Sequence, residues 1–242
     1  MGRFTRQITA SIKANNNKND MTIIILSAGI GGRIKSNEPC SLIKIGTKTL
    51  IEHQIDVINN NIDNQEIIGV FGYAIEKIIK KISGKLRVVE NQVYNETNNS
   101  ESLRLAVNNT NKKNILFFHG DLYFNDKVLS NLNFKKSFLL VDNKGMIKPK
   151  EIGVTIQNNK ATMLSYGLPT KWCQLAFITG KELKILKNIL YKLQGSQKKL
   201  LSFEIINKMI SMGANFECYE PKDMSIIEID CIKDLKNENF NF

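Results

Sequence analysis

No run of about eighteen apolar residues occurs in this 242-residue chain, so the sequence offers no membrane-spanning segment. Four cysteines, Cys40, Cys173, Cys218 and Cys231, have no metal-ligand spacing and follow no secretory apolar segment. That pattern excludes a zinc module and points to free thiols in a reducing cytoplasm. Histidine is scarce as well: there are two, His53 and His119, neither near Cys40 in sequence, which disfavours a Cys–His nucleophile. There is no linker and no internal repeat, and the length suits one substantial core, so residues 21–242 are expected to form one domain. Residues 1–20 carry Arg3, Arg6, Lys13 and Lys18 against Asp20 alone, and lack apolar periodicity. They read as a disordered or leader extension.

Acidic charge is also in short supply: 34 Lys and Arg face 23 Asp and Glu, a net charge of +11. Such an excess is one mark of a nucleic-acid surface. Here the lysines are dispersed in isolated pairs such as Lys80-Lys81, Lys112-Lys113 and Lys198-Lys199, with no basic stripe interleaved with aromatics. A general lysine and asparagine bias together with an anionic substrate accounts for the charge better, and no nucleic-acid partner is expected.

What is present is concentrated near the amino end. Thr22 to Leu26 is an apolar, β-branched run suited to a strand covered on both faces, and it leads into Ser27-Ala28-Gly29-Ile30-Gly31-Gly32-Arg33. Glycines let the backbone approach a ligand and aim N–H groups at phosphate oxygens, while Arg33 adds a forked cation. A strand followed by a glycine turn also opens many α/β domains for structural reasons alone. The spacing is not Gly-x-Gly-x-x-Gly and no acidic residue ends the second strand, which disfavours a dinucleotide oxidoreductase.

Periodicity predicts helices over 49–61, 74–82, 99–107, 181–193 and 200–212. Buried strands are predicted over 66–71, 86–89 and 115–119, the last apolar throughout and so central. Short strands without intervening helices follow over 137–141, 152–156, 161–164 and 174–178, and after the last two helices strands over 216–219 and 226–229 bring the chain back to the sheet. Strand–helix alternation implies an α/β fold with a mostly parallel sheet and helices on both faces. Ligands of such sheets bind beyond the carboxyl ends of the strands, where the Gly29–Arg33 turn and Asp121 both fall.

Four segments in order resemble the nucleotidyltransferases, the sugar-1-phosphate and choline-phosphate nucleotidylyltransferases. They are Leu26-Ser27-Ala28-Gly29-Ile30-Gly31-Gly32-Arg33 with Glu38-Pro39-Cys40-Ser41-Leu42, Asn98-Asn99-Ser100-Glu101-Ser102-Leu103, His119-Gly120-Asp121, and Ile227-Glu228-Ile229-Asp230 with Asp234-Leu235. The resemblance implies a three-layer α/β/α sandwich, a Rossmann-like, mostly parallel sheet with a mixed second half, as in the GT-A-like nucleotidyltransferases. It also implies that the domain begins at Met21. It assigns nucleotide binding to Leu26, Ala28, Gly29, Gly31, Gly32, Arg33, Asn99 and Ser102, and catalysis to Arg33, Asp121 and Asp230. Asp121 and Asp230 would hold Mg²⁺, while Glu228 and Trp172 would meet the acceptor. Cys40 stands where the family usually has a phosphate-contacting lysine; a lysine restored there is expected to tighten nucleotide binding if the position still faces the phosphates.

Read from residue type alone, Asp121 is equally a turn residue and Asp230 equally a helix cap, Trp172 equally a core side chain, and Glu228 equally half of a salt bridge. The expected activity is Mg²⁺-dependent transfer of a nucleotidyl group, with CTP preferred, to a small phosphorylated acceptor such as a phosphocholine-like head group, releasing pyrophosphate. Such products feed surface polysaccharide or lipid decoration. The alternatives are a sugar-1-phosphate nucleotidylyltransferase using another NTP and a catalytically silent NTP-binding homologue.

Overall fold

A computed structural model describes residues 20–30, 38–82, 84–130, 132–144 and 147–229. The extension expected over residues 1–20 lies, apart from Asp20, outside the described residues, as do Gly31, Gly32, Arg33, Asp230, Cys231 and Asp234. Among the described residues no helix is long and apolar enough to cross a membrane.

β1 (Met21–Ser27) is the hub. It pairs in parallel with β4 (Glu66–Phe71) on one side and with β6 (Asn114–His119) on the other, and β5 (Arg87–Glu90) extends the sheet beyond β4. Residues on β1 alternate between two apolar layers, as a two-residue repeat demands. Ile24 and Leu26 pack with α3 (Asn99–Asn108), α5 (Gly180–Tyr191) and α6 (Ser202–Ser211). Met21, Ile23 and Ile25 pack with α1 (Leu50–Asn61), α2 (Ile75–Ile82) and the short α4 (Lys127–Ser130). The result is the three-layer α/β/α sandwich.

The second half of the sheet is mixed. β11 (Thr170–Thr179) runs antiparallel to both β6 and β8 (Phe138–Asp142), while β12 (Glu217–Tyr219) is parallel to β8. The hairpin β9 (Ile152–Gln157) and β10 (Lys160–Tyr166) closes the far edge. Its turn holds Asn158 and Asn159 at φ of 49° and 60°, left-handed values that asparagine tolerates better than most side chains. The sheet order is β5-β4-β1-β6-β11-β8-β12-β10-β9.

Three short strands fell outside the periodicity because they are two or three residues long: β2 (Lys44–Ile45) and β3 (Lys48–Thr49), which form a hairpin, and β7 (Leu122–Phe124), which pairs antiparallel with β13 (Ile226–Glu228), the strand expected over 226–229. On α2, Ile78 and Ile82 are buried but Ile79, expected on the same face, is 44% exposed.

The chain moves outward from β1 in both directions: β4 and β5 lie on one side, β6 on the other. That reversal opens a crevice between the carboxyl ends of β1 and β6. One wall of the crevice is braced by Glu101 on α3, buried at 3% side-chain exposure. Its carboxylate accepts from Arg104 Nε at 2.7 Å and Nη2 at 2.6 Å, with Lys198 Nζ at 3.4 Å. The backbone N–H of Asn98 and the Ser100 hydroxyl both donate to the Lys198 carbonyl, fastening the 3₁₀ turn Gly195–Lys199 to α3.

The Arg104 hydrogen bonds hold the Glu101 carboxyl below its usual range, against the upward push of burial, with Lys198 adding to the depression. A depressed carboxylate contributes stability that is complete above its unfolded range and is lost as pH falls through its folded value. Glu101→Gln should therefore cost about 2–3 kcal/mol at neutral pH, with the deficit narrowing below about pH 4. Urea melts of both proteins across that range check it; a constant deficit contradicts the ionic role.

Candidate active site

The site is assembled from the end of β6. Gly120 donates its N–H to the Leu26 carbonyl at 2.8 Å, and a Cβ at Gly120 would collide with the Ser27 side chain. Only glycine lets β6 turn this close over β1, and the next residue, Asp121, then stands above the crevice. Gln54, buried on α1, donates from Nε2 to the carbonyls of Leu122 at 2.7 Å and Gly120 at 3.3 Å, bracketing Asp121. α1 is itself set by a capping box, in which the Thr49 N–H and hydroxyl donate to the Glu52 carboxylate at 2.9 and 2.8 Å.

The returning strand β13 pairs Glu228 with Leu122, and the N–H of Ile229 donates to the Asp121 carbonyl at 2.8 Å. The Ile229 carbonyl accepts from the Cys40 thiol at 3.2 Å. Ile229 is thus held on both sides of its own backbone, immediately before Asp230. Cys40 is buried in a small apolar cluster with Ile43, Ile45, Leu50 and Ile229. The lysine-like, phosphate-facing position that the resemblance implies for it is not the one it occupies. The reason is steric and polar together: a small, weakly polar thiol fits beneath β13, where an ammonium would be desolvated.

Glu228 projects into a cleft of about 250 Å³ shared with Asn99, His119, Asp121, Trp172 and Gln174 and rimmed by Lys150, Tyr166 and Phe203. Gln174 Nε2 donates to Glu228 Oε2 at 2.6 Å. His119 Nε2 faces the Ser202 hydroxyl at 2.7 Å and the Asn99 amide nitrogen at 3.2 Å. Burial pushes His119 down to about 4, against the pull of Glu228 and Gln174, so the ring is a neutral hydrogen-bonding group at physiological pH. Glu228 is raised, first by burial and then by the charge of Asp121, while its bond from Gln174 opposes both. The two carboxylates thus stand close together in the cleft, with Asp121 an oxygen donor of the kind a hard divalent cation takes. Among the described residues no cluster reaches three His, Cys, Asp or Glu groups of metal-binding geometry.

The remaining sequence-derived residues divide by depth. Leu26 and Ala28 are buried and act through their carbonyls, which accept from Gly120 and from the Tyr73 N–H; Gly29 is exposed at the crevice. Asn99 reaches the cleft through His119, whereas Ser102, one turn further along α3, is buried and accepts from Asn91 Nδ2 at 3.2 Å. Trp172 is 1% exposed, forms the cleft floor and donates its indole N–H to the Leu175 carbonyl. Gln174, Gln54 and Ser202 escaped the sequence reading. The signal for Gln174 was a lone amide inside the apolar strand Trp172–Ile178; the other two offered none.

No family model matches the chain. The bifunctional protein GlmU of Methanococcus vannielii is 32% identical over 139 residues, 55% of this chain and 32% of that protein. The choline-phosphate cytidylyltransferase of Streptococcus pneumoniae is 37% identical over 91 residues, 36% of this chain and 39% of that one. The chain thus spans about a third of the length of these curated relatives. Among solved structures, the CTP:phosphocholine cytidylyltransferase LicC of Streptococcus pneumoniae superposes with a TM-score of 0.75 at 22% identity, covering 90% of this chain and 97% of that one. The inositol-1-phosphate CTP transferase of T. maritima gives 0.69 at 19% identity, covering 88% and 90%.

Because Cys40 points inward, Cys40→Lys should lower the melting temperature by about 4–8 °C, the equivalent of burying a poorly solvated ammonium at about 2 kcal/mol. It should leave NTP affinity no tighter. Calorimetric titration of NTP with both proteins, alongside thermal melts, decides it; tighter binding without destabilisation would mean that the side chain reaches the nucleotide.

Proposed function

We propose, from the premise that the chain is a relative of the nucleotidyltransferases in sequence and shares their fold, that it joins a small phosphorylated acceptor to the nucleotidyl group of CTP and releases pyrophosphate. The observation that carries this reading is the meeting of two carboxylates, Asp121 and Glu228, at the crevice between β1 and β6, with Ile229 pinned so that Asp230 follows directly.

In such a transfer an acceptor phosphate oxygen attacks the α-phosphorus and the bond to pyrophosphate breaks. The attacking oxygen is already ionised, so no general base is required, in keeping with a neutral His119. Mg²⁺ held by Asp121 and Asp230 would supply charge neutralisation and orientation of the phosphates. The chain's own part is placement. Gly29 borders the crevice on the nucleotide side. Glu228, Trp172 and Tyr166 line the acceptor side, a carboxylate with aromatic faces that suits a cationic head group. Lys150 on the same rim suits its phosphate.

A second reading, a sugar-1-phosphate nucleotidylyltransferase using another NTP, is favoured by the longer stretch of chain matched by GlmU than by the choline-phosphate relative. Pyrophosphate release, screened with four NTPs against phosphocholine and sugar 1-phosphates, separates the two. Turnover with CTP and phosphocholine is the expected outcome, and turnover confined to a sugar phosphate selects the second reading. Asp121→Ala should lower turnover more than a hundredfold, about 3 kcal/mol in the transition state, with its far-UV spectrum unchanged. Near-normal turnover in that variant would remove Asp121 from the catalytic group.

A further inference from the structure

Gln174 sits where the regular sheet breaks. β11 and β8 are in register at Trp172 with Val141 and again at Ala176 with Leu139, so four steps along β11 span two along β8. Within this bulge Gln174 has φ of 55°, in the left-handed region, which costs a glutamine backbone energy that a glycine would not lose. Its neighbours lock it there: Cys173 and Leu175 are buried in one layer, Trp172 in the other, and the Trp172 indole closes across the bulge onto the Leu175 carbonyl.

The side chain uses this geometry. A carboxylate accepts only, so the contact with Glu228 orients the amide with Nε2 toward β13. His119 lines the same cleft, where its Nε2 faces Ser202 and Asn99. One residue on β11 thus fixes a carboxylate on β13 in the cleft that His119 of β6 also lines. Strained non-glycine backbone persists where surrounding structure over-determines it, and such positions cluster at binding sites.

We propose that Gln174 is the specificity-determining positioning residue of the acceptor cleft, kept in a strained backbone because only there does its amide fix Glu228 toward the acceptor. This rests on reading the cleft as the acceptor pocket. On the same reading Gly29, after β1, borders the nucleotide side, whereas the bond from Gln174 to Glu228 lies on the acceptor side.

The test compares Gln174→Ala, Gln174→Gly and Gln174→Asn with the parent chain. Ala and Gly delete the same hydrogen bond and differ in tolerance of the left-handed backbone. Both should raise the acceptor KM at least tenfold while the NTP KM stays within twofold, and Gly should melt about 2–4 °C above Ala. Asn, which tolerates the backbone and keeps an amide, should recover part of the acceptor affinity. An unchanged acceptor KM in the Ala variant, or equal rises for both substrates, overturns the positioning role; equal melting of Ala and Gly overturns the strain.

Trp172, the single tryptophan, lies on the cleft floor, so its fluorescence reports phosphocholine or sugar 1-phosphate binding without turnover. If the parent chain binds one of these but transfers nothing, the functional reading fails and the Ala variant's binding decides the role of Gln174. If the parent chain binds neither, the positioning role falls with the acceptor pocket.

Discussion

The crossing of β6 over the end of β1 is the constraint on which the site depends. Gly120 donates to Leu26 at a separation that admits no side chain, so one residue type at one position sets how closely Asp121 approaches the glycine turn. Gln54 then holds the carbonyls on either side of that aspartate, and β13 completes the arrangement by bonding Ile229 to its backbone. Each contact is main chain to main chain or buried amide to main chain. Such contacts define position more tightly than exposed side-chain pairs, because neither partner gains by exchanging to water.

Around this frame the cleft mixes two kinds of chemistry. The floor is apolar and closely packed, with Trp172 bonded inward, while the walls carry two hydrogen-bonded pairs, Asn99 with His119 and Gln174 with Glu228. Low local dielectric strengthens those bonds and keeps His119 neutral, so the polar walls are directional without adding a cation to the cleft. Lys171, three residues before Gln174 on β11, is paired with the buried Glu151 at 2.6 Å.

Cys40 shows how a departure from the pattern that the resemblance implies can be absorbed. A lysine at that place would bring charge to phosphate; the thiol instead packs under β13 and bonds the Ile229 carbonyl. The segment after the glycine turn is thereby tied to the strand that leads to Asp230. The same residue that weakens one expected contact strengthens the seating of another.

Much of the fold was legible from residue order. β-branched runs marked β1, β4 and β6, and apolar stripes marked the five longer helices within a few residues, because each of these depends on local preference and on one periodic face, whereas the one-turn α4 has no period to read. Gly29, Asp121 and Glu228 could be named because they end strands or stand beside recognisable segments. Gln174's left-handed backbone, Cys40's inward thiol and the hold of Gln54 on Gly120 could not be read in that way. They arise between residues 66 to 189 positions apart, or from a register slip between two strands, and neither is encoded in any one stretch. The sequence by itself determined the alternation of elements and the glycine that permits the crossing. Tertiary structure alone decided which polar groups meet, since that depends on the distances between strands brought together only when both apolar faces of the sheet are buried.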